Sequence, residues 1–264
     1  MRLIAVASAK SSPGASTGSE LLVQRRPTPE RRCLLLDCDP AGSEWLLRPG
    51  VKAEPSTVTL AMAGRRALAP EAVLDEVQTV GDGMEVVVGP VAARQAASAL
   101  EILGDRLGAH LRSLDDVDVV ADCGRLAQRS PALGVVAAAD LVVLVSRPTV
   151  AEVIHLAPWV EQLVSEGCQV GLVLVGGRRG RQLVAYEPEE IADALGVPVL
   201  GVMADDASAA ARVFAQPGAL AGLWRSRLVR SVSALAPAVF GACPPVEPVS
   251  SAESTTESRE AAAR

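Results

Sequence analysis

Lys10-Ser11-Ser12-Pro13-Gly14-Ala15-Ser16-Thr17 decides how this chain is read. It has the outline of a phosphate-binding loop, G-x-x-x-x-G-K-[ST], whose backbone N–H groups cradle phosphate oxygens while a lysine reaches toward them. Gly14 holds the place of the last glycine and Ser16 that of the hydroxyl that ligates magnesium, but Ala15 stands where the lysine belongs. Lys10, upstream, is the remaining cation of the stretch. Before the loop, Leu3-Ile4-Ala5-Val6-Ala7 is an apolar run that suits a short buried strand. After its Ser-Pro-Gly turn, residues 16–24 suit a helix with Leu21, Leu22 and Val23 as apolar positions, ended by Pro27 and Pro29. A strand, a turn and a helix in that order aim loop N–H groups and a helix N-terminus at one anion. Taken alone, the same stretch is also an ordinary strand–turn–helix with no ligand.

Three further segments weigh against that plainer reading. Residues 33–39, Cys-Leu-Leu-Leu-Asp-Cys-Asp, form an apolar strand ending in two carboxylates, Asp37 and Asp39. Asp118-Val119-Val120-Ala121-Asp122 is a second strand ending in a carboxylate, and residues 140–145 are a third strand. Ligands of open α/β sheets sit at the carboxyl ends of the strands. Aspartates there, beside a phosphate loop, suit a magnesium ion held largely through water and an attacking water held in line. One strand-end aspartate is commonplace as a cap or turn residue. The loop, the aspartate pair and the later Asp122 in this order are far less so.

At these residues the chain resembles the MinD/ParA family of deviant P-loop ATPases, whose loop reads K-G-G-x-G-K-[ST]-[ST]. Lys10 matches the family's early signature lysine, Gly14 its last glycine, Ser16 its magnesium ligand and Thr17 the hydroxyl that follows. Asp37 and Asp39 match its D-x-D, of which the second is linked to activating water, and Asp122 matches its Walker B aspartate. Further on, residues 170–175 resemble the strand before the base loop. Residues 195–201 resemble its G-x-P-x-x-G segment, and Asp205, Asp206 and residues 209–213 the stretch after that. The likeness covers about residues 1–240, and it leans toward the divergent actinobacterial MinD-like and TadZ/CpaE-like members. The departures are specific: Ser11 and Ser12 replace two glycines, Ala15 replaces the loop lysine, and Gly176 or Gly177 stands where many relatives carry a base-reading Asn.

The resemblance implies an α/β fold, a three-layer, doubly wound, mostly parallel sheet. It implies ATP or ADP with Mg²⁺, bound by Lys10, Ser11, Ser12, Pro13, Gly14, Ala15, Ser16, Thr17 and Asp37, with Ser16 and Asp122 as metal ligands. Asp39 and Lys10 would serve catalysis, Lys10 reaching across a nucleotide-dependent homodimer to the other subunit's nucleotide. Loss of the loop lysine removes a contact worth ~3 kcal/mol or more at the transition state. At ~1.4 kcal/mol per tenfold in rate, weak or absent hydrolysis follows. The implied function is an ATP-dependent dimeric switch or scaffold that positions a cellular assembly, in cell division, chromosome placement, or a pilus or secretion apparatus. A further protein partner, part of a membrane-associated apparatus, goes with it. Two alternatives stand beside it: a weak ParA-type ATPase that binds DNA nonspecifically, and a pseudo-ATPase that binds no nucleotide and acts as a structural partner.

Composition agrees with one sizeable α/β domain: 264 residues, 49% of them hydrophobic. Only six residues are aromatic (three Trp, one Tyr, two Phe), so the core must be Val, Leu, Ala and Ile, which suits parallel strands buried on both faces. A net charge of −6 argues against a broad nucleic-acid surface, although Arg178, Arg179 and Arg181 make a small basic cluster. The five cysteines form no CxxC pair and read as core residues of a reducing compartment, and His110 and His155 are isolated. No run reaches the roughly 18 apolar residues of a membrane span, and the first apolar run is too short for a secretory leader.

The location expected is the cytoplasm, with a peripheral contact to the inner face of the membrane as a second reading. That contact would run through residues 220–240, where Leu223, Trp224, Leu228, Val232 and Leu235 alternate with Arg225, Arg227 and Arg230. The competing reading is a last helix packed on the sheet. The domain is expected over residues 1–242, and residues 243–264, poor in large apolar side chains, as a disordered tail. Strands are expected near 3–7, 33–38, 84–89, 117–122, 140–146, 170–175 and 197–202. Helices are expected near 16–24, 57–66, 70–78, 91–113, 150–166, 187–195, 207–214 and 220–239.

Overall fold

Side chains alternate between two apolar layers along every central strand. Leu3, Ala5 and Ala7 join one buried cluster, while Ile4 and Val6 join the other. Leu34 and Leu36 divide from Cys33 and Leu35 in the same way, and Val119 and Ala121 from Val120. A strand whose two faces are both apolar must be covered on both, and the chain supplies helices to each.

The computed structural model describes residues 1–65, 67–69, 71–176 and 186–243. Its strands are β1 (Leu3–Ser8), β2 (Arg32–Asp37), β3 (Gln78–Val80), β4 (Met84–Val87), β5 (Val117–Arg125), β6 (Leu141–Ser146), β7 (Val170–Gly176) and β8 (Val199–Ala204). They form one sheet in the order β3-β4-β2-β5-β1-β6-β7-β8. All pairings are parallel except the edge hairpin β3–β4. The helices are α1 (Ala15–Gln24), α2 (Thr57–Ala63), α3 (Ala72–Asp75), α4 (Ala93–Leu103), α5 (Asp105–Arg112), α6 (Leu133–Ala138), α7 (Val150–Ser165), α8 (Pro188–Leu195), α9 (Ala207–Ala215) and α10 (Arg227–Ala242). Helices α1, α9 and α10 cover one face, and α2 and α4–α8 the other. The three-layer, mostly parallel α/β fold is therefore the one expected.

The order places β1 at the turning point of the winding. The chain runs outward from β1 through β2, comes back to β5 beside it, and then continues on the other flank through β6. The crevice outside the carboxyl end of such a strand is where open sheets bind ligands.

Four expectations change. The helix of residues 91–113 is two helices, because Gly104 takes φ 52, ψ −150 between α4 and α5. The helix of 70–78 shrinks to α3, and Gln78–Val80 becomes a strand with Gln78 and Val80 buried and Thr79 exposed. Helix α6 lies where no element was expected. The last helix starts at Arg227, where the Ser226 side chain accepts the Val229 N–H as its N-cap. Its Leu228, Val229, Val232, Leu235, Ala236, Val239 and Phe240 are buried, so this helix packs on the sheet, as the competing reading had it. Arg225, Arg227 and Arg230 remain exposed. Among the described residues, no helix is long and apolar enough to cross a membrane. Cys243, assigned to the tail, is buried with the α10 core, and residues 244–264 lie outside the described residues. All five cysteines are free, with Cys168 half-buried and the other four buried.

Candidate functional site

Asp37 and Asp122 are register partners on the neighbouring parallel strands β2 and β5, so their carboxylates meet at the same end of the sheet. Only 4% and 3% of them are exposed. On the other side of β5, β1 delivers the loop of residues 9–14. Gly14 closes that loop in a left-handed conformation (φ 102) and caps α1, a backbone geometry that favours glycine. Ser16, in the first turn of α1, is set beside Asp122, where its hydroxyl favours the charged carboxylate. The hydroxyl and the carboxylate expected to share a metal are thus brought together by separate elements.

The remaining hydrogen bonds fix the carboxylates. Asp122 Oδ1 accepts the Gly124 N–H at 3.1 Å, and Asp37 Oδ1 accepts the Asp39 N–H at 3.1 Å. Asp37 Oδ2 lies 3.4 Å from the Gly89 nitrogen. Asp39 Oδ1 accepts the Ala41 N–H at 2.8 Å. Burial pushes all three acids up. It lifts Asp122 from the ordinary 3.8 to about 7, helped by the neighbouring Asp37 charge and opposed by the Ser16 and Gly124 hydrogen bonds. Burial likewise raises Asp37, against hydrogen bonds from Ser43 and the Asp39 backbone. It raises Asp39 as well, against the Ala41 hydrogen bond and the charge of Arg125.

A cleft of about 510 Å³ opens over this cluster, within the range of small-molecule sites. Of the expected residues, Ser11, Ser12, Gly14, Ala15, Ser16, Thr17, Asp37, Asp39 and Asp122 line it. Lys10 and Pro13 are not among its walls: Lys10 is exposed and Pro13 buried. Ser11, where the family pattern has a glycine, holds the left-handed backbone a glycine would take (φ 60). The Ala15 methyl is buried with Val6, Leu21 and Leu22, so nothing cationic enters from the lysine position.

Two cations line the cleft that the sequence did not single out, Arg48 and Arg125. Arg125 follows Gly124 at the end of β5. Arg48 follows the short 3₁₀ turn Trp45–Leu47. The available signal was the Trp-Leu-Leu-Arg run soon after the aspartate pair, together with Glu20 set beside Leu21, Leu22 and Val23. On the base side, Gly176 ends β7, and Gly177, Arg178, Arg179 and Arg181 lie outside the described residues. Asp206 caps α9 by accepting the Ala209 N–H at 3.1 Å.

The donor set suits nucleotide and Mg²⁺. Among the described residues no three His, Cys, Asp or Glu side chains converge into a metal cage. Magnesium needs no such cage, since it keeps several waters and takes one or two protein oxygens plus phosphate oxygens. Asp122 with the Ser16 hydroxyl offers such a pair, beside the buried Asp37, which has no ion pair among the described residues. Phosphate would rest on the N–H groups of the loop and of the first turn of α1.

Known structures match this fold over most of the chain. The cell division ATPase MinD of Pyrococcus furiosus superimposes with a TM-score of 0.72 at 21% identity, over 91% of this chain and 98% of that one. A ParA family ATPase from Chlorobium tepidum gives 0.70 at 16%, over 89% and 97%. The septum site-determining protein MinD of Pyrococcus horikoshii, solved with Mg-ADP, gives 0.70 at 19%, over 89% and 94%. This is the fold of the MinD and ParA ATPases. No protein-family model and no curated protein matches the chain by sequence.

Proposed function

We propose that the chain is a MinD/ParA-like nucleotide switch that binds ATP with Mg²⁺, pairs with a second copy when loaded, and positions a larger assembly through a protein partner. The observation that carries this reading is the convergence of a left-handed Gly14, the Ser16–Asp122 pair and the buried Asp37 on one cleft at the carboxyl end of β1. Asp39, at the cleft wall, is placed to orient water. Lys10 is exposed and outside the walls of its own cleft, which leaves it available to another subunit's nucleotide. With Ala15 packed in the core, hydrolysis is slow or absent, and the bound state rather than turnover carries the signal. The assembly belongs to cell division, chromosome placement, or a pilus or secretion apparatus.

Calorimetry with MgATP and light scattering on wild type and Lys10→Ala test this together. Wild type is expected to bind and to double its mass on loading. Lys10→Ala is expected to bind as a monomer, with its affinity within about threefold of wild type. Absence of heat at millimolar MgATP would sink the reading, and so would a loaded Lys10→Ala dimer for the role of Lys10. One observation favours a second reading, nonspecific DNA binding: Arg225, Arg227 and Arg230 are exposed around the start of α10, with Arg225 packed 4.3 Å from the Trp224 ring centre. Affinity for DNA that falls steeply with salt would select it.

A further inference from the structure

The charges around the cleft do not by themselves welcome a phosphate chain. Among the described residues, four carboxylates, Asp37, Asp39, Glu44 and Asp122, line the cleft against two cations, Arg48 and Arg125. A phosphate chain entering that field needs a positive contact, and Ala15 cannot give it. Arg125 is exposed and its charge already acts on Asp39. Arg48 differs: it is 8% exposed, reaches the cleft, and has a buried Nε with no partner. A buried guanidinium N–H without an acceptor is costly and rare, so the protein alone leaves this guanidinium incompletely satisfied while its side chain lines the cleft where a phosphate would sit.

The seat of Arg48 is built. Its Nη1 donates to Glu20 Oε2, one helical turn beyond Ser16 on the same side of α1. Its guanidinium carbon lies 3.9 Å from the ring centre of Trp45 and 4.9 Å from that of Phe214 on α9. Two of the chain's six aromatic residues are thus placed on this one arginine. Glu20, with no exposed surface, is held in turn by the Gly218 N–H at 3.2 Å and the Gln24 side chain at 3.1 Å. Stacking on rings and a fixed carboxylate orient the planar fork, and such a fork suits phosphate oxygens better than a mobile ammonium does.

We propose that Arg48 is the cation this site uses in place of the loop lysine, contacting the phosphate chain of the nucleotide from the loop beside α1. The inference rests on the nucleotide reading above and names the residue that makes it workable without Ala15's missing charge. Glu20 is a positioning residue that acts through Arg48.

Binding of MgATP and of inorganic tripolyphosphate, measured by calorimetry beside the melting temperature of each ligand-free variant, tests this. Arg48→Gln is expected to weaken both ligands at least tenfold. Glu20→Gln leaves Arg48 without its counter-charge and is expected to hold or tighten both. A purely structural pair would lose affinity in both variants, and that result overturns the inference. Ala15→Lys added to Arg48→Gln is expected to recover at least half of the lost binding energy, since it returns a cation to the phosphates; no recovery overturns the inference. If Arg48→Gln fails to fold, Arg48→Lys keeps the ion pair and loses the fork. It is expected to bind at least threefold more weakly, and wild-type affinity there overturns the inference. A wild type that binds neither ligand instead sinks the nucleotide reading itself. Wild-type binding with an unaffected Arg48→Gln sinks only the role of Arg48.

Discussion

Asp122→Asn is expected to raise the melting temperature of the nucleotide-free protein at pH 8 and to remove its response to MgATP. The carboxyl is 3% exposed, and burial with the neighbouring Asp37 charge moves it from 3.8 to about 7. In the unfolded chain it releases its proton near the ordinary value. Between those two values the folded protein holds a proton that the unfolded chain has lost, so stability falls as pH rises through that window. The contribution is fully present below about pH 4 and gone once pH has passed about 7. At ~1.4 kcal/mol per pH unit, three units make on the order of 4 kcal/mol. A domain of this size melts ~2–4 °C lower per kcal/mol lost.

Replacing Asp122 by the neutral amide removes that term. The variant should therefore melt roughly 8–16 °C above wild type at pH 8, and the gap should narrow toward pH 5. A bound divalent cation would supply the missing counter-charge in wild type, so MgATP should narrow the same gap by raising the wild-type melting temperature alone. Melting curves at four pH values, with and without MgATP, read all of this. A variant less stable than wild type at pH 8 would show that the carboxylate is a net structural asset and not a cost held for ligand. Buried charge without a protein counter-charge weakens the empty domain and is stabilised when the domain is loaded.

The parts of this site that could be read from sequence are those set by local pattern. Leu3–Ala7, residues 33–36 and residues 119–121 are apolar on both faces, so they announce buried parallel strands, and the aspartates that follow the last two, Asp37 and Asp122, are placed side by side by the sheet itself. Gly14 announces itself because a left-handed turn into a helix favours glycine. For Arg48 and Glu20 the local pattern marks each residue but does not pair them: they are 28 residues apart, and their meeting depends on the path of a loop and on Phe214 from a distant helix. The break at Gly104 was hidden for a different reason. Ala96, Ala99, Leu100, Leu103, Leu107 and Leu111 keep a helical spacing across it, and all are buried, so periodicity alone sees one helix where the backbone turns. Strand β3 is three residues long, too short for alternation to stand out. For residues 220–239 the apolar face was visible, but what it faces is a tertiary fact, and the sheet supplies it.

Gly124→Ala is expected to disable the site through a side chain that Gly124 does not have. The residue lies just past Asp122, at φ +59, where an L side chain costs roughly 1–2 kcal/mol. That backbone term alone would lower the melting temperature by about 2–8 °C. The larger effect is on Asp39. A methyl at Gly124 would stand 2.2 Å from Asp39 Cγ and 2.3 and 2.4 Å from its two oxygens, so the carboxylate must leave its place. Its bond from the Ala41 N–H goes with it, and the loop that leads to Arg48 loses its anchor beside the strand. Gly167→Ala separates the two effects. Gly167 also has positive φ (+86), but nothing lies within 4 Å of a methyl there. Both variants should lose melting temperature by similar amounts, while only Gly124→Ala should lose MgATP affinity, by at least tenfold. Equal affinities in the two variants would remove Asp39 from the binding state and leave it, at most, a role in handling water.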